Sequence, residues 1–312
     1  MKKKWLVLGS TVGLSAALMV TTGLSAMAST SGYEAYKSAL KNSHTVQSVT
    51  LQANASLKDN GKVLETADAQ LKLNLKNGNM SGNTDLSAGG EHQKLSMYNQ
   101  NEQTILKTDS SDTYYVKQDK DDTKAEFKKM HHSKASDPET SRQVETVIDA
   151  LVGNLKDYVN MDTASDGSKQ ISLQLDQAQL PAVVNAIAPL AIKEATKHRE
   201  EIQSKESNPS AFPFHKQFLK NEVPQLTQDI KIDHVSVKAN VNASNYIQHQ
   251  EADLTVSGKD ASGAAHQLVI HLQADFSGFN STTPDTLDLK GKKVQTLKSN
   301  HEGMLKADGN NK

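Results

Sequence analysis

From residue 49 the chain alternates apolar and polar positions. Val49, Leu51, Ala53, Ala55 and Leu57 are interleaved with Thr50, Gln52, Asn54, Ser56 and Lys58. Successive side chains of a strand point to opposite faces, so this pattern predicts a strand buried on one side only. Asn60-Gly61 follows, a hairpin signal because a type I′ turn needs two positive φ angles. The alternation then returns through Ala67, Ala69, Leu71, Leu73 and Leu75 to a second turn at Asn77-Gly78. Shorter strands are expected over residues 91–99, 103–108 and 113–118. Before them, Tyr33, Tyr36 and Leu40 share one side of a short helix.

Past residue 118 the period changes. Residues 119–136 are charged and read as a surface loop. Asp137-Pro138-Glu139 then supplies an N-cap, a first-turn proline and a first-turn acid. Val144, Val147, Ile148, Leu151, Val152, Leu155, Tyr158 and Val159 continue from it as one helical stripe. A turn at Asp166-Gly167 leads to a strand with Ile171, Leu173 and Leu175. Residues 180–192 are the most apolar stretch beyond the N-terminus and are expected to be helical, with Pro189 kinking or splitting the helix. A further short helix is expected over residues 211–219.

The last third reads as strands again. Ile230 and Ile232 hold one phase, whereas Val235, Val237, Ala239, Val241 and Ala243 hold the other. That one-residue slip predicts a β-bulge near Asp233-His234. Ala252, Leu254 and Val256 are expected to pair with Leu268, Ile270 and Leu272 across a turn at residues 260–263. A final strand is expected to include Leu287 and Leu289. The fold class is therefore α+β: a curved antiparallel sheet wrapped around two or three helices, which the resemblance described below further specifies as an unclosed β-barrel or half-barrel. One apolar sheet face and the helix stripes would share a single core.

Residues 1–28 change where this fold would work. Lys2, Lys3 and Lys4 precede a charge-free apolar run, and Ala26-Met27-Ala28 gives a small-x-small cleavage pattern. The segment reads as a signal peptide. The expected organisation is a signal peptide at 1–28, one α+β domain over 29–300 and a disordered tail over 301–312. Beyond residue 28 there are 32 cationic and 36 acidic residues, a net charge of −4 that argues against nucleic acid as partner. With no Cys among its 312 residues, the chain has no disulfide, thiol nucleophile or lipid-carrying cysteine. No stable membrane anchor is expected after cleavage.

Candidate chemistry is sparse. The eleven His residues show no metal-ligand spacing, so no metal and no cofactor are expected. His249 and His271 lie on facing strands and read as solvent-facing positions. Asp119, Asp121 and Asp122 lack the glycine and closing glutamate of a calcium loop. Ser38-Ala39-Leu40-Lys41 matches S-x-x-K, but its companion elements are missing. No enzyme is expected. The eight candidate site residues line an apolar cavity: Leu180, Val183, Val184, Ile187 and Leu190 on the apolar helix, with Leu268, Ile270 and Leu272 on the facing strand.

The short helix, the strand to Lys58, the Asn60-Gly61 hairpin and the run KLSMYNQNEQTILKTDSSDTYYVKQ over residues 94–118 resemble the bacterial lipoprotein-carrier superfamily of the LolA, LolB and LppX types. The resemblance implies a half-barrel whose helices line a cavity for acyl chains. The lipid-anchoring Cys of the LppX and LolB types has no counterpart here. The function expected is that of a secreted, non-enzymatic protein holding a lipid or other apolar small molecule in the cell envelope. The alternative is a solidly packed structural or interaction module with an envelope protein or cell-wall partner.

Overall fold

A computed structural model describes residues 32–43, 45–118, 153–182, 184–186, 189, 192 and 223–297. Helix α1 (Gly32–Ser43) precedes a meander of β1 (Ser48–Asp59), β2 (Lys62–Asn74), β3 (Asn79–Ala88), β4 (Glu91–Gln100), β5 (Gln103–Thr108) and β6 (Tyr114–Gln118). A 3-10 turn (Gly153–Tyr158) leads to β7 (Val159–Thr163) and β8 (Lys169–Asp176). The chain then runs through β9 (Gln228–Val241), β10 (Ile247–Lys259), β11 (Ala265–Ser277) and β12 (Val294–Leu297). All twelve strands join one sheet, ordered β12-β6-β5-β4-β3-β2-β1-β11-β10-β9-β8-β7. Its end strands do not pair with each other, so the sheet is unclosed. Every pairing is antiparallel except β12 with β6. No helix among the described residues is long and apolar enough to cross a membrane.

The strands with clear alternation fall where their pattern places them. Val49, Leu51, Ala53, Ala55 and Leu57 are all buried, and the residues between them are not. Asn60 and Gly61 both have positive φ, 48° and 82°, which lets the turn follow the twist of its strands. In β9, His234 opposes Thr255 and Ile232 opposes Val256, which leaves Asp233 as the extra residue of a bulge. The β10–β11 register pairs Ala252 with Leu272, Leu254 with Ile270 and Val256 with Leu268, as the pattern requires.

Three regions depart from the pattern. Strand β3 carries few apolar residues and was not expected; it forms because β2 and β4 offer unpaired backbone on both sides. Gly82 on β3 lets the strands close up, since a Cβ there would lie 2.3 Å from the Gln70 carbonyl and 2.5 Å from Leu71 Cδ2. The stripe expected to stay helical to Val159 instead ends in a 3-10 turn, and Val159 opens β7. There Val159 and Met161 pack beside Leu40 and Ile171, and the Asp166-Gly167 hairpin holds β7 to β8. Residues 119–152 and 193–222, including the loop at 119–136, the start of the stripe and the helix expected at 211–219, lie outside the described residues. So do 1–28 and 301–312.

The strand expected around Leu287 and Leu289 is instead part of a strap over residues 278–293. It crosses the polar face from β11 to the far edge. Side-chain hydrogen bonds, and no regular ladder, hold its middle to the sheet. Thr282 Oγ1 lies 2.9 Å from Thr50 Oγ1, and Lys72 donates to Asp285 at 2.9 Å. Asp285 N donates to Ser81 Oγ, while Gln100 exchanges two hydrogen bonds with the Leu287 backbone. Crossing the sheet in this way delivers β12 parallel to β6, a direction that a tight hairpin cannot provide.

Three groups of buried residues lie on the apolar face. Leu57, Leu175, Leu180, Leu226, Ile232, Val256 and Leu268 form the main cluster toward one end of the strands. α1 supplies Ala39 and Leu40 to a second cluster with Ile171, Val241 and Ile247. Small residues, Ala53, Ala69 and Ala274 with Leu51, fill the third.

Candidate functional site

Two candidate surfaces emerge, one on each face of the sheet. On the apolar face, Leu180 and Leu268 are buried at 8% and 5% exposure in the main cluster, and Val184 and Ile270 pack against it. Leu272 lies on the same face, opposite Ala252 and Ala55, and is half-buried. Five of the eight candidate residues thus share one side of the sheet. Val183, Ile187 and Leu190 lie outside the described residues. Ala182, Val184, Asn185, Ala186, Pro189 and Ile192 have helical backbone. This stretch is entered through the 3-10 turn Gln177–Gln179, where the Gln179 side chain accepts from the Asp176 backbone N–H at 2.8 Å. Ile192 and Val223 join the same aliphatic wall, which also gains Leu173 and Val235 from β8 and β9.

A cavity of about 790 Å³ lies on the other face, where sequence analysis placed only solvated residues. It is lined by residues of β11 and of β1 to β6, strands that are consecutive in the sheet. Seven neighbouring strands can line one cavity only if the sheet curls toward that side. Two cross-strand rows make its floor. One runs Gln273, Asn54, Asp68, Asp85 and Lys94; the next runs Asp275, Gln52, Gln70, Asn83, Ser96 and Lys107. Asp68 and Asp85 face each other directly, an arrangement that costs free energy between like charges. His92 and Lys94 offset it at Asp85, and Asn54 donates to Asp68.

Each of the five described histidines lies against an aspartate. The pairs are His92–Asp85, His234–Asp176, His249–Asp275, His266–Asp59 and His271–Asp253, with N···O separations of 2.5–2.9 Å. His249 and His271 therefore do not approach each other. Each is directly opposite the aspartate of the other strand. The hydrogen bond that the His266 imidazole donates to Asp59, against some opposing burial, raises the pKa of His266 above its ordinary 6.5. Burial pushes the Asp275 carboxyl up, but hydrogen bonds from His249 and Gln273 bring it below its ordinary value. Lys72 likewise lowers Asp285 in the strap. Ser38 of the S-x-x-K match accepts from Asn245 Nδ2 at 3.0 Å, tying α1 to the β9–β10 turn.

Comparison with known proteins adds little to this geometry. No family model matches the chain, and no curated protein does. One solved structure, described as lipid–protein interactions in lipovitellin, is similar over 77% of this chain and 26% of its own length. The identity is 8% and the TM-score 0.25, too slight for any inference about fold or activity. The chain thus spans about a quarter of that protein.

The polar constellation on β10 and β11 was missed because each strand was read for its apolar positions. A signal was present. The sequences His249-Gln250-Glu251-Ala252-Asp253 and His271-Leu272-Gln273-Ala274-Asp275 repeat the pattern His-x-Glu/Gln-Ala-Asp. On antiparallel strands in this register, each His of one copy meets the Asp of the other.

Proposed function

We propose that this is an exported, non-enzymatic binding protein that holds a lipid or other apolar molecule against the apolar face of its half-barrel. One observation carries this reading: Leu180, Val184, Leu268 and Ile270 come together in one aliphatic wall with Ile192 and Val223. Its described members are Leu, Ile and Val, side chains suited to acyl chains because they offer area without polar groups that would lose water. Export rests on residues 1–28, and the likeness to lipoprotein carriers supports the reading at the level of an unclosed sheet. The test is a titration with a fluorescent fatty-acid probe. Saturable enhancement is expected, weakened by Ile270→Gln, which places an amide in the wall. A flat response would contradict the reading.

A second reading is favoured by the concave polar groove. In it, the apolar face is a solid core and the molecule is an interaction module whose polar face meets a protein or cell-wall partner. A pull-down with the Gln52→Ala/Gln70→Ala variant separates the two readings. Loss of a partner captured by the unaltered chain supports the second, whereas unchanged capture counts against it.

A further inference from the structure

The two copies of His-x-Glu/Gln-Ala-Asp on β10 and β11 are related by a local two-fold axis that passes between Glu251 and Gln273. The copies differ at that central position, and the difference has an electrostatic consequence. On β11, Gln273 Nε2 donates to Asp275 Oδ2 at 2.9 Å, so an amide hydrogen occupies the space between the two side chains. On β10 the corresponding residue is Glu251, which as a carboxylate has no hydrogen to give Asp253. Two carboxylates and the His271 imidazole are left with donor atoms all within 4.8 Å of one another. All three residues are partly buried. Lys238 Nζ reaches Glu251 Oε2 only at 3.6 Å, which is beyond a direct hydrogen bond.

The geometry points to a divalent transition-metal site formed by Glu251, Asp253 and His271. One nitrogen and two carboxylate oxygens are a donor set that Zn²⁺ accepts, with a fourth position left to water. His271 Nδ1 and Asp253 Oδ1 are 2.8 Å apart and need part only to the ~3.4 Å between neighbouring tetrahedral ligands that each stand about 2.1 Å from one ion. Binding takes the place of the hydrogen bond between these two atoms, with the single ring hydrogen of a neutral His271 carried on Nε2. The ion cross-links β10 to β11 on the face that holds the groove, whose lining includes Gln273. The β11 copy lacks the second carboxylate and serves as an internal control. This site is independent of the apolar wall, and either stands if the other fails.

The test uses the chain after chelator treatment, titrated with Zn²⁺ and followed by calorimetry and by the imidazole NMR signals of His271. Six further histidines lie outside the described residues, so the readout is the difference between variants. The expected result is a shift of the His271 signals on Zn²⁺ addition. Glu251→Gln, which copies the β11 arrangement, should weaken that response at least tenfold while leaving the circular dichroism unchanged. Gln273→Glu supplies the missing carboxylate and should add one bound ion per chain, with a matching response at His249. The proposal is overturned if the His271 signals ignore Zn²⁺, if Glu251→Gln titrates like the unaltered chain, or if Gln273→Glu gains no ion.

Discussion

The two faces of this sheet are held by different physics. The apolar face gains stability from area removed from water, and its residues are interchangeable as long as volume is kept. The polar face is organised by cross-strand pairs, each of modest worth, whose identity matters more than their size. Adjacent residues of β1 show the contrast: Leu57 is 4% exposed in the main cluster, whereas Ser56 faces His271 and Thr66 on the other side. A sheet built this way can vary the chemistry of one face while the other keeps it folded.

The largest expected effect is on the apolar side. Leu57→Ala should cost about 2–5 kcal/mol in denaturant unfolding through lost burial and a residual cavity. Ser56→Ala on the other face should stay within about 0.5 kcal/mol. Equal losses at the two positions would break the distinction between faces. Next comes Gly82→Ala. Its Cβ would meet the backbone of Gln70 and Leu71, so the strands must part at a cost of about 1–3 kcal/mol. An unchanged unfolding midpoint there would show that β2 and β3 are not packed as described.

These two positions also mark the limits of what was legible in the sequence. Leu57 belongs to an alternation that gave β1, its hairpin partner and the inward face directly. The bulge at Asp233 was legible for the same reason, because a phase slip in apolar positions is itself a periodic signal. Strand β3 was not, since Gly82, Asn83 and Asp85 carry no apolar period and their ladder depends on neighbours far from local propensity. The strap was misread because Leu287 and Leu289 look like strand residues, yet its backbone bonds to the Gln100 side chain. At the candidate site, the apolar wall was visible as composition. The groove was not, because concavity is a property of seven strands together and no single strand records it.

Smaller effects should come from the polar face. A double-mutant cycle on His249 and Asp275, each replaced by Asn, should return a coupling of about 0.2–1 kcal/mol. A coupling near zero would reduce the histidine–aspartate pairs to coincidence. The smallest effect is a pH slope. The folded-state pKa of His266 lies above its ordinary 6.5, so its contribution is fully present below that value and is lost as pH rises through the folded-state value. The thermal midpoint should therefore decline as pH rises above about 6.5, and His266→Gln should flatten part of that decline. An identical slope in the variant would assign the pH dependence elsewhere.

The central claim is that the apolar face holds a ligand and is not simply a core. Native mass spectrometry of the chain, purified without denaturation, tests this most directly. The account predicts a population heavier than the bare polypeptide by the mass of a lipid or similar apolar molecule. Organic extraction should release that molecule, and the protein should take it up again. A single species at the bare mass, unchanged after incubation with fatty acids and phospholipids, would contradict it.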